Sequence, residues 1–452
     1  MTSRPYRLSR ENYVTQPSRK KIPSHCCLST TCHFEQHSPV ASRPKGEIFG
    51  VRAPTKTKDF CVKRHRLAFA ACRFQVKTSQ KVKVFDFFCG CGGTSLGLAR
   101  AEMKPVFALD KDPEAIATFR RNLLRERHDV RVVAKEIEEF SPKKIQRLVA
   151  TARRGGSVIL FAACAPCQPF TKQNTIHSGK DDPRFSLLED IREFISAHKP
   201  DYLFIENVPG LLKQRPDGPL GKLEKCLDEN GYHEPASGII AAQDYGVPQR
   251  RRRFVLVASH LGAIELPKPT HGPGREYPSY ETVRDTIGDM EKYPPLKAGE
   301  THPEIPNHRA ARLSERNLAR LRNTPEGEMR RDFWPEELQL PCYSKYGGHT
   351  DVYGRMRWDA PATGLTTRCI SLSNGRFGHP KQDRAISVRE AAALQTFPDD
   401  FVFLGSLNAQ ARQIGNAVPP LLAKVFGEHI LEHYRAYCQS DCGGARNKER
   451  NP

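Results

Sequence analysis

Between Lys83 and Ser259 short apolar runs recur with helix-like text between them, and this alternation limits the folds open to the chain more than any other feature. The runs are Val84–Phe88, Pro105–Leu109, Val130–Val133, Val158–Ala163, Tyr202–Ile205 and Phe254–Ala258. Each is strand length, and stretches such as Asp112–Arg127 and Leu187–His198 carry apolar residues at helical spacing. Strands alternating with helices predict an α/β fold, a doubly wound and mainly parallel sheet. Ligands of such sheets bind beyond the carboxyl ends of the strands.

The rest of the chain departs from this rhythm. Residues 1–80 lack either periodicity, are rich in Ser, Thr, Pro, Lys and Arg, and read as a basic arm without regular structure. Residues 1–83 hold 18 Lys and Arg against 4 Asp and Glu, which leaves only about +6 of the net charge of +20 for everything after them. A nucleic-acid partner is compatible with that balance but is not argued by charge alone. Residues 261–380 turn Pro- and Gly-rich, as in LPKPTHGPGREYPSY, and read as an inserted, loop-rich module between a first catalytic segment, 81–260, and its return at 381–437. Residues 438–452 form a tail. No apolar run approaches the roughly 20 residues needed to span a bilayer, and no charged segment followed by an apolar stretch opens the chain. The 14 cysteines are therefore expected to be reduced thiols of a cytoplasmic protein.

Two stretches carry chemistry. In VFDFFCGCGGTSLGLARA, Gly90, Gly92 and Gly93 stand between a strand and a helix, where glycine permits close approach of backbone to a ligand and the helix N-terminus offers free N–H groups. Asp110 follows the next strand, placed to accept hydrogen bonds from a ribose diol. The strict dinucleotide spacing is absent, so the pair indicates an adenosine-containing ligand of unspecified kind, or else a plain tight turn. In FAACAPCQPFTKQ, Cys164 and Cys167 flank a proline at the end of a buried run. A redox pair, a zinc site, an inert core thiol and a nucleophile on a turn are all open there. The core reading suits Cys164, still within the apolar run, better than Cys167. In the arm, Cys26, Cys27, Cys32, His33, Cys61 and Cys72 match no paired zinc spacing, and no metal is expected.

The ordered series FDFFCGCGG, APCQPF, FIENVPG, YGVPQRRRRF, REAAALQTFPDDF and QIGNAVPP closely resembles the motifs of the DNA (cytosine-5) methyltransferases over roughly residues 83–435. The resemblance implies a Rossmann-like methyltransferase domain that uses S-adenosylmethionine and carries a smaller inserted target recognition domain. It implies that Cys167 is the nucleophile toward cytosine C6 and Glu206 the acid at N3. Arg251 and Arg253 match the alternate arginines, one of which holds O2. Gln168, Asn207 and Gln249 complete the substrate side. Asp86, Phe87 and the Gly90, Gly92 and Gly93 turn match the cofactor loop, Asp110 the ribose acid, Leu187 a pocket wall and Asn416 a residue near the methionine end. Glu136 stands where the family usually has Asp beside the adenine, and Gly364 where it often has Thr.

The chemistry agrees with these assignments. Cytosine C5 is a poor nucleophile, so a covalent bond at C6 is needed to push electrons onto C5, and a thiolate is suited to form it. A carboxyl at N3 and a guanidinium at O2 drain the developing charge. Arg251 and Arg253, alternate residues at a strand start, are expected to share one face. Since C6 is hidden in stacked duplex DNA, the base must be flipped out. The resemblance makes the insertion the place for sequence recognition, with Lys345, His349, Arg355 and Arg357 as candidate contacts. Double-stranded DNA is the implied partner and a restriction endonuclease a possible companion of a monomeric modification enzyme. An RNA cytosine-5 methyltransferase and a catalytically silent DNA-binding regulator remain the alternatives.

Overall fold

The structure, a computed structural model, describes residues 81–448 apart from 125–128, 166–186, 215–217, 233, 329–332 and 341–351. In chain order, β1 (Val82–Phe87), α1 (Gly93–Arg100), β2 (Lys104–Asp110), α2 (Pro113–Leu123), β3 (Arg131–Ala134), α3 (Gln146–Arg154), β4 (Val158–Ala163), α4 (Leu187–His198), β5 (Tyr202–Asn207) and α5 (Pro219–Glu229) alternate. Strands β6 (Ala236–Ala241), β7 (Gln249–Arg250) and β8 (Arg252–Ser259) follow. The later part holds α6 (Val283–Ile287), α7 (Glu315–Arg322), β9 (Ala362–Thr363), α8 (Val388–Leu394), α9 (Leu407–Asn416) and α10 (Pro420–Lys448).

Seven strands form one sheet in the order β3-β2-β1-β4-β5-β8-β6. Strands β1 to β5 pair in parallel, and β8 runs antiparallel to both of its neighbours. Every residue of β4 and β5 is buried, the expected state of a parallel strand covered on both faces. On one face Phe85, Phe87, Phe107, Phe161 and Leu203 pack with Ile191, Ile195 and Leu223 of α4 and α5. On the other, Val84, Leu160, Phe204 and Val255 pack with Leu98 of α1 and with Leu422 and Phe426 of α10. The strand order reverses between β1 and β4, which places the crevice of a doubly wound sheet there.

The apolar runs predicted β1 to β5 and β8 closely. The sequence does not announce β6, an edge strand in which Ile240 is the buried residue and its partners are wholly or partly exposed, so its apolar signal is weak. Gly415 and Asn416, in the glycine- and proline-containing stretch before the last helix, close α9, whose N-terminus is capped by Ser406. Residues 261–380 also share a core with the C-terminal return: Val283, Ile287, Trp358, Leu365 and Phe377 pack with Ile386, Val388, Leu394 and Phe397.

That junction is held by buried polar groups. Arg384 and Glu390 are both fully buried, the guanidinium donating two hydrogen bonds of 2.7 Å to the carboxylate, and Glu390 closes a capping box with Ser387 at the start of α8. His308 bonds Ser387 Oγ at 3.0 Å, and His379 Nδ1 accepts from the N–H groups of Lys381 and Gln382. Burial lowers both histidines, His379 to about 4. An unfolded histidine titrates near 6.5, so between about 6.5 and 4 the unfolded chain holds more protons than the folded one, and stability is lost as the pH drops through that window and is level above it. His379 alone contributes about 3 kcal/mol by the bottom of the window. Urea unfolding at pH 7.5, 6 and 5 is expected to show this loss, with His379→Gln removing most of the slope; equal slopes for both proteins would refute the assignment.

Candidate active site at the carboxyl edge of the sheet

The glycine turn is built by the end of β1 meeting α1. Gly92 caps α1 with φ 103°, a left-handed conformation that side chains rarely adopt, and a Cβ on Gly93 would lie 2.5 Å from the Val418 carbonyl. Among the described residues no atom lies within 4 Å of where a Cβ on Gly90 would be, which leaves that face open to a ligand. Asp110, at the end of β2, accepts the N–H of Gly90 through Oδ2 and that of Asp112 through Oδ1, both at 2.8 Å. It thus ties the turn to the neighbouring strand, and each oxygen keeps a second lone pair. Burial raises its pKa against those two hydrogen bonds.

Asp86 is fully buried in β1, accepts the Ser95 hydroxyl at 2.6 Å through Oδ2, and has no hydrogen-bond partner for Oδ1 among the described residues. Burial pushes its pKa up to about 7. Phe87 requires a correction: its side chain is fully buried, edge-on to Phe161 and Phe194, and has no surface to offer a ligand. Alternation along the strand turns Phe87 into the core. The next residue, Phe88, breaks the strand with φ 61° and stays partly exposed beside the turn. Glu136 is exposed and paired with Lys111 at 3.2 Å, which holds its carboxylate below the usual range. Leu187 opens α4, and Asn416 is the exposed last residue of α9.

On the other side of the crevice, Glu206 near the end of β5 is 3% exposed. The antiparallel register sets Val255 opposite Glu206, so Arg253, two residues back along β8, lies on the same face. Arg253 Nε is 2.9 Å from Glu206 Oε1, yet neither atom has a hydrogen bond among the described residues. The contact is Coulombic and leaves a buried donor and a buried acceptor side by side, both with unused capacity. Asn207 accepts the Val208 N–H through Oδ1 and donates to the Ala165 carbonyl at 3.5 Å, bracing the end of the segment that follows β4.

Arg251 and Arg253 do not share a destination, contrary to expectation. Strand β7 ends at Arg250 and β8 starts at Arg252, so Arg251 sits at a break, and its guanidinium donates to the carbonyls of Leu365, Gly415 and Ala417. Gln249 is fully buried and spends its amide on Leu394, Gln395 and the Leu365 N–H, which makes it a brace rather than a substrate contact. Arg355 is likewise buried, bonded to four carbonyls and to Asp383, and so cannot read bases. Arg357 is exposed and 3.5 Å from Glu328. A Cβ on Gly364 would come 3.0 Å from the Arg250 carbonyl, a tight contact that fits glycine there.

Cys167, Gln168, Lys345 and His349 lie outside the described residues. Cys164 is partly buried 3.7 Å from the Thr94 hydroxyl, and burial, then the charges of Glu206 and Asp86, push its thiol well above the ordinary value. That matches the core reading of Cys164. Ser95, Thr94 and Gln395, which support the site, escaped the sequence reading because isolated hydroxyls and amides carry no periodic signal. Among the described residues no group of three or more His, Cys, Asp or Glu could hold a metal, and no helix is long and apolar enough to cross a membrane.

The family profile of the C-5 cytosine-specific DNA methylases matches residues 82–432. The type II methylase M.HgiDII of Herpetosiphon aurantiacus is 36% identical over 77% of this chain and 94% of its own length. The type II methyltransferase M1.HphI of Haemophilus parahaemolyticus is 32% identical over 77% and 86%. A crystal structure from E. coli, described as a DNA modification methyltransferase encoded within a prophage, superposes with a TM-score of 0.54 at 21% identity, covering 78% of this chain and 99% of that one. The last likeness concerns the fold.

Proposed function

The chain belongs to the C-5 cytosine-specific DNA methylase family, and on that premise we propose that it methylates C5 of a flipped-out cytosine in a short duplex sequence through a covalent bond from Cys167 to C6. The observation that carries this reading is the Glu206 and Arg253 pair: a buried acceptor and donor, 2.9 Å apart and not hydrogen-bonded to each other, at the edge where substrates of such sheets bind. A cytosine presents N3 and O2 as neighbours, and these two groups match them.

In this mechanism the Cys167 thiolate forms the S–C6 bond while Glu206 delivers a proton to N3 and Arg253 holds O2, so the ring electrons concentrate at C5. S-adenosylmethionine, when bound, supplies an electrophilic methyl group to C5. Loss of the C5 proton to water, with return of the N3 proton to Glu206, then restores the 5,6 double bond and expels the thiolate. The open face at Gly90, the buried unpartnered Oδ1 of Asp86 and the N-terminus of α1 fit a nucleoside donor with a charged amino-acid end. Gly90, Gly92, Gly93, Phe88 and Asp110 would hold it from one side, Leu187 and Asn416 from the other, and Glu136 would reach its base. Asn207 braces the Ala165 carbonyl just past the end of β4, and the motif assigns Gln168 to the substrate side. Residues 261–380 supply sequence recognition, and the protein works as a monomer in self-DNA modification beside a restriction endonuclease.

Base-resolution bisulfite sequencing of a methylation-free bacterial host expressing the chain is expected to show protected cytosines in one short sequence. Absence of protection, with transfer RNA labelled instead, would replace this reading by the RNA one.

A further inference from the structure

Arg251 is 3% exposed, and its guanidinium reaches into the turn between α9 and α10. Both of its terminal nitrogens donate to the Gly415 carbonyl at 3.2 Å, and one also donates to the Ala417 carbonyl at 3.1 Å. Gln395 donates to the same Ala417 carbonyl. Asn416 therefore stands exposed between two residues whose carbonyls are held by one cation. The last carbonyls of a helix have no partners inside it, and a cation there also complements the negative end of the helix dipole. A further hydrogen bond, to Leu365 at 3.1 Å, fastens the segment that follows β9, and β9 pairs with β7 in register Gln249 to Ala362. One residue thus joins the start of β8, which carries Arg253, to the turn that carries Asn416.

We propose that Arg251 is a positioning residue for the methyl-donor site, setting Asn416 in place and tying it to the strand that holds the base, rather than a contact to the cytosine. This rests on the reading that Asn416 touches the donor. A planar guanidinium satisfies these diverging carbonyls together, whereas a lysine ammonium offers one point charge.

The test measures equilibrium binding of S-adenosylmethionine and of duplex DNA to the full chain, with KM for each and thermal midpoints as a check on folding. Arg251→Lys is expected to raise the dissociation constant and KM for S-adenosylmethionine roughly tenfold, with DNA affinity and kcat at saturating donor within about threefold. Gln395→Ala, which removes only the second donor to Ala417, is expected to move donor binding the same way by about threefold, and it decides the matter if Arg251→Lys does not fold. Arg251→Lys combined with Asn416→Ala is expected to bind the donor no worse than Asn416→Ala alone. Unchanged donor binding in both Arg251→Lys and Gln395→Ala, or losses of donor and DNA affinity in equal proportion, would overturn the proposal. If Asn416→Ala leaves donor binding intact, the assignment of Asn416 fails; if it weakens binding while Arg251→Lys does not, only the inference about Arg251 fails.

Discussion

Cys167→Ala is expected to lower methyl transfer by ~10⁴-fold or more, the scale on which removing a nucleophile acts when the remaining machinery is intact. The core thiols Cys89, Cys91, Cys164 and Cys369 are poorly suited to substitute. Burial pushes Cys89 and Cys164 well above the ordinary thiol value, and raises Cys91 and Cys369 to about 12, so at neutral pH these sulfurs are protonated. The decisive measurement uses duplex DNA with 5-fluorocytosine at the target. Fluorine replaces the proton that must leave C5, so the covalent complex persists and survives denaturing electrophoresis. The native chain with S-adenosylmethionine should form that complex, and Cys167→Ala should form none while binding the same DNA within a few-fold. A stable complex from the alanine variant would remove Cys167 from the mechanism.

Glu206→Gln carries the second largest expected effect, a fall in kcat of about 10² to 10⁴, the range in which general acids act. Glutamine keeps the shape of the side chain and an acceptor oxygen beside Arg253, so the substitution removes proton donation with little change in packing. Alanine would leave the partly buried Arg253 guanidinium without its carboxylate and confuse the two effects. KM for S-adenosylmethionine should not change, because Glu206 lies across the crevice from the glycine turn. If protonation at N3 assists the attack on C6, formation of the fluorocytosine complex slows in step with turnover. Normal complex formation with lost turnover would move the role of Glu206 to a later step, and a kcat within tenfold of the native value would reject it as the acid.

Local chemistry made much of this protein legible. A run such as VILFAA is apolar at every position because both faces of β4 are covered, and that signal survives in one dimension. The glycine turn is legible in part, since the left-handed backbone at Gly90 and Gly92 demands glycine locally, whereas Gly93 is required by its contact with the distant Val418 carbonyl. Arg251 shows where such reading stops. In sequence it is one of four adjacent arginines, and alternation along a continuous strand would aim it with Arg253. The chain breaks between β7 and β8, and its acceptors on Gly415 and Ala417 are more than 160 residues away. Gln249 and Arg355 were misplaced for the same reason: a polar side chain shows its type in sequence, but the carbonyls that consume it come from distant segments. Phe87 and Phe88 differ by one step of strand alternation, which nothing in FDFFCG resolves until β1 is seen to end.

The sequence by itself determined the sheet, its crevice, the family and the residue types available for chemistry, because burial periodicity and turn stereochemistry are properties of neighbouring residues. Only the tertiary structure decided which polar residues face the crevice and which are spent inside the protein. That division depends on which distant donors and acceptors meet, and a buried group hydrogen-bonded to the backbone has little left to offer a substrate.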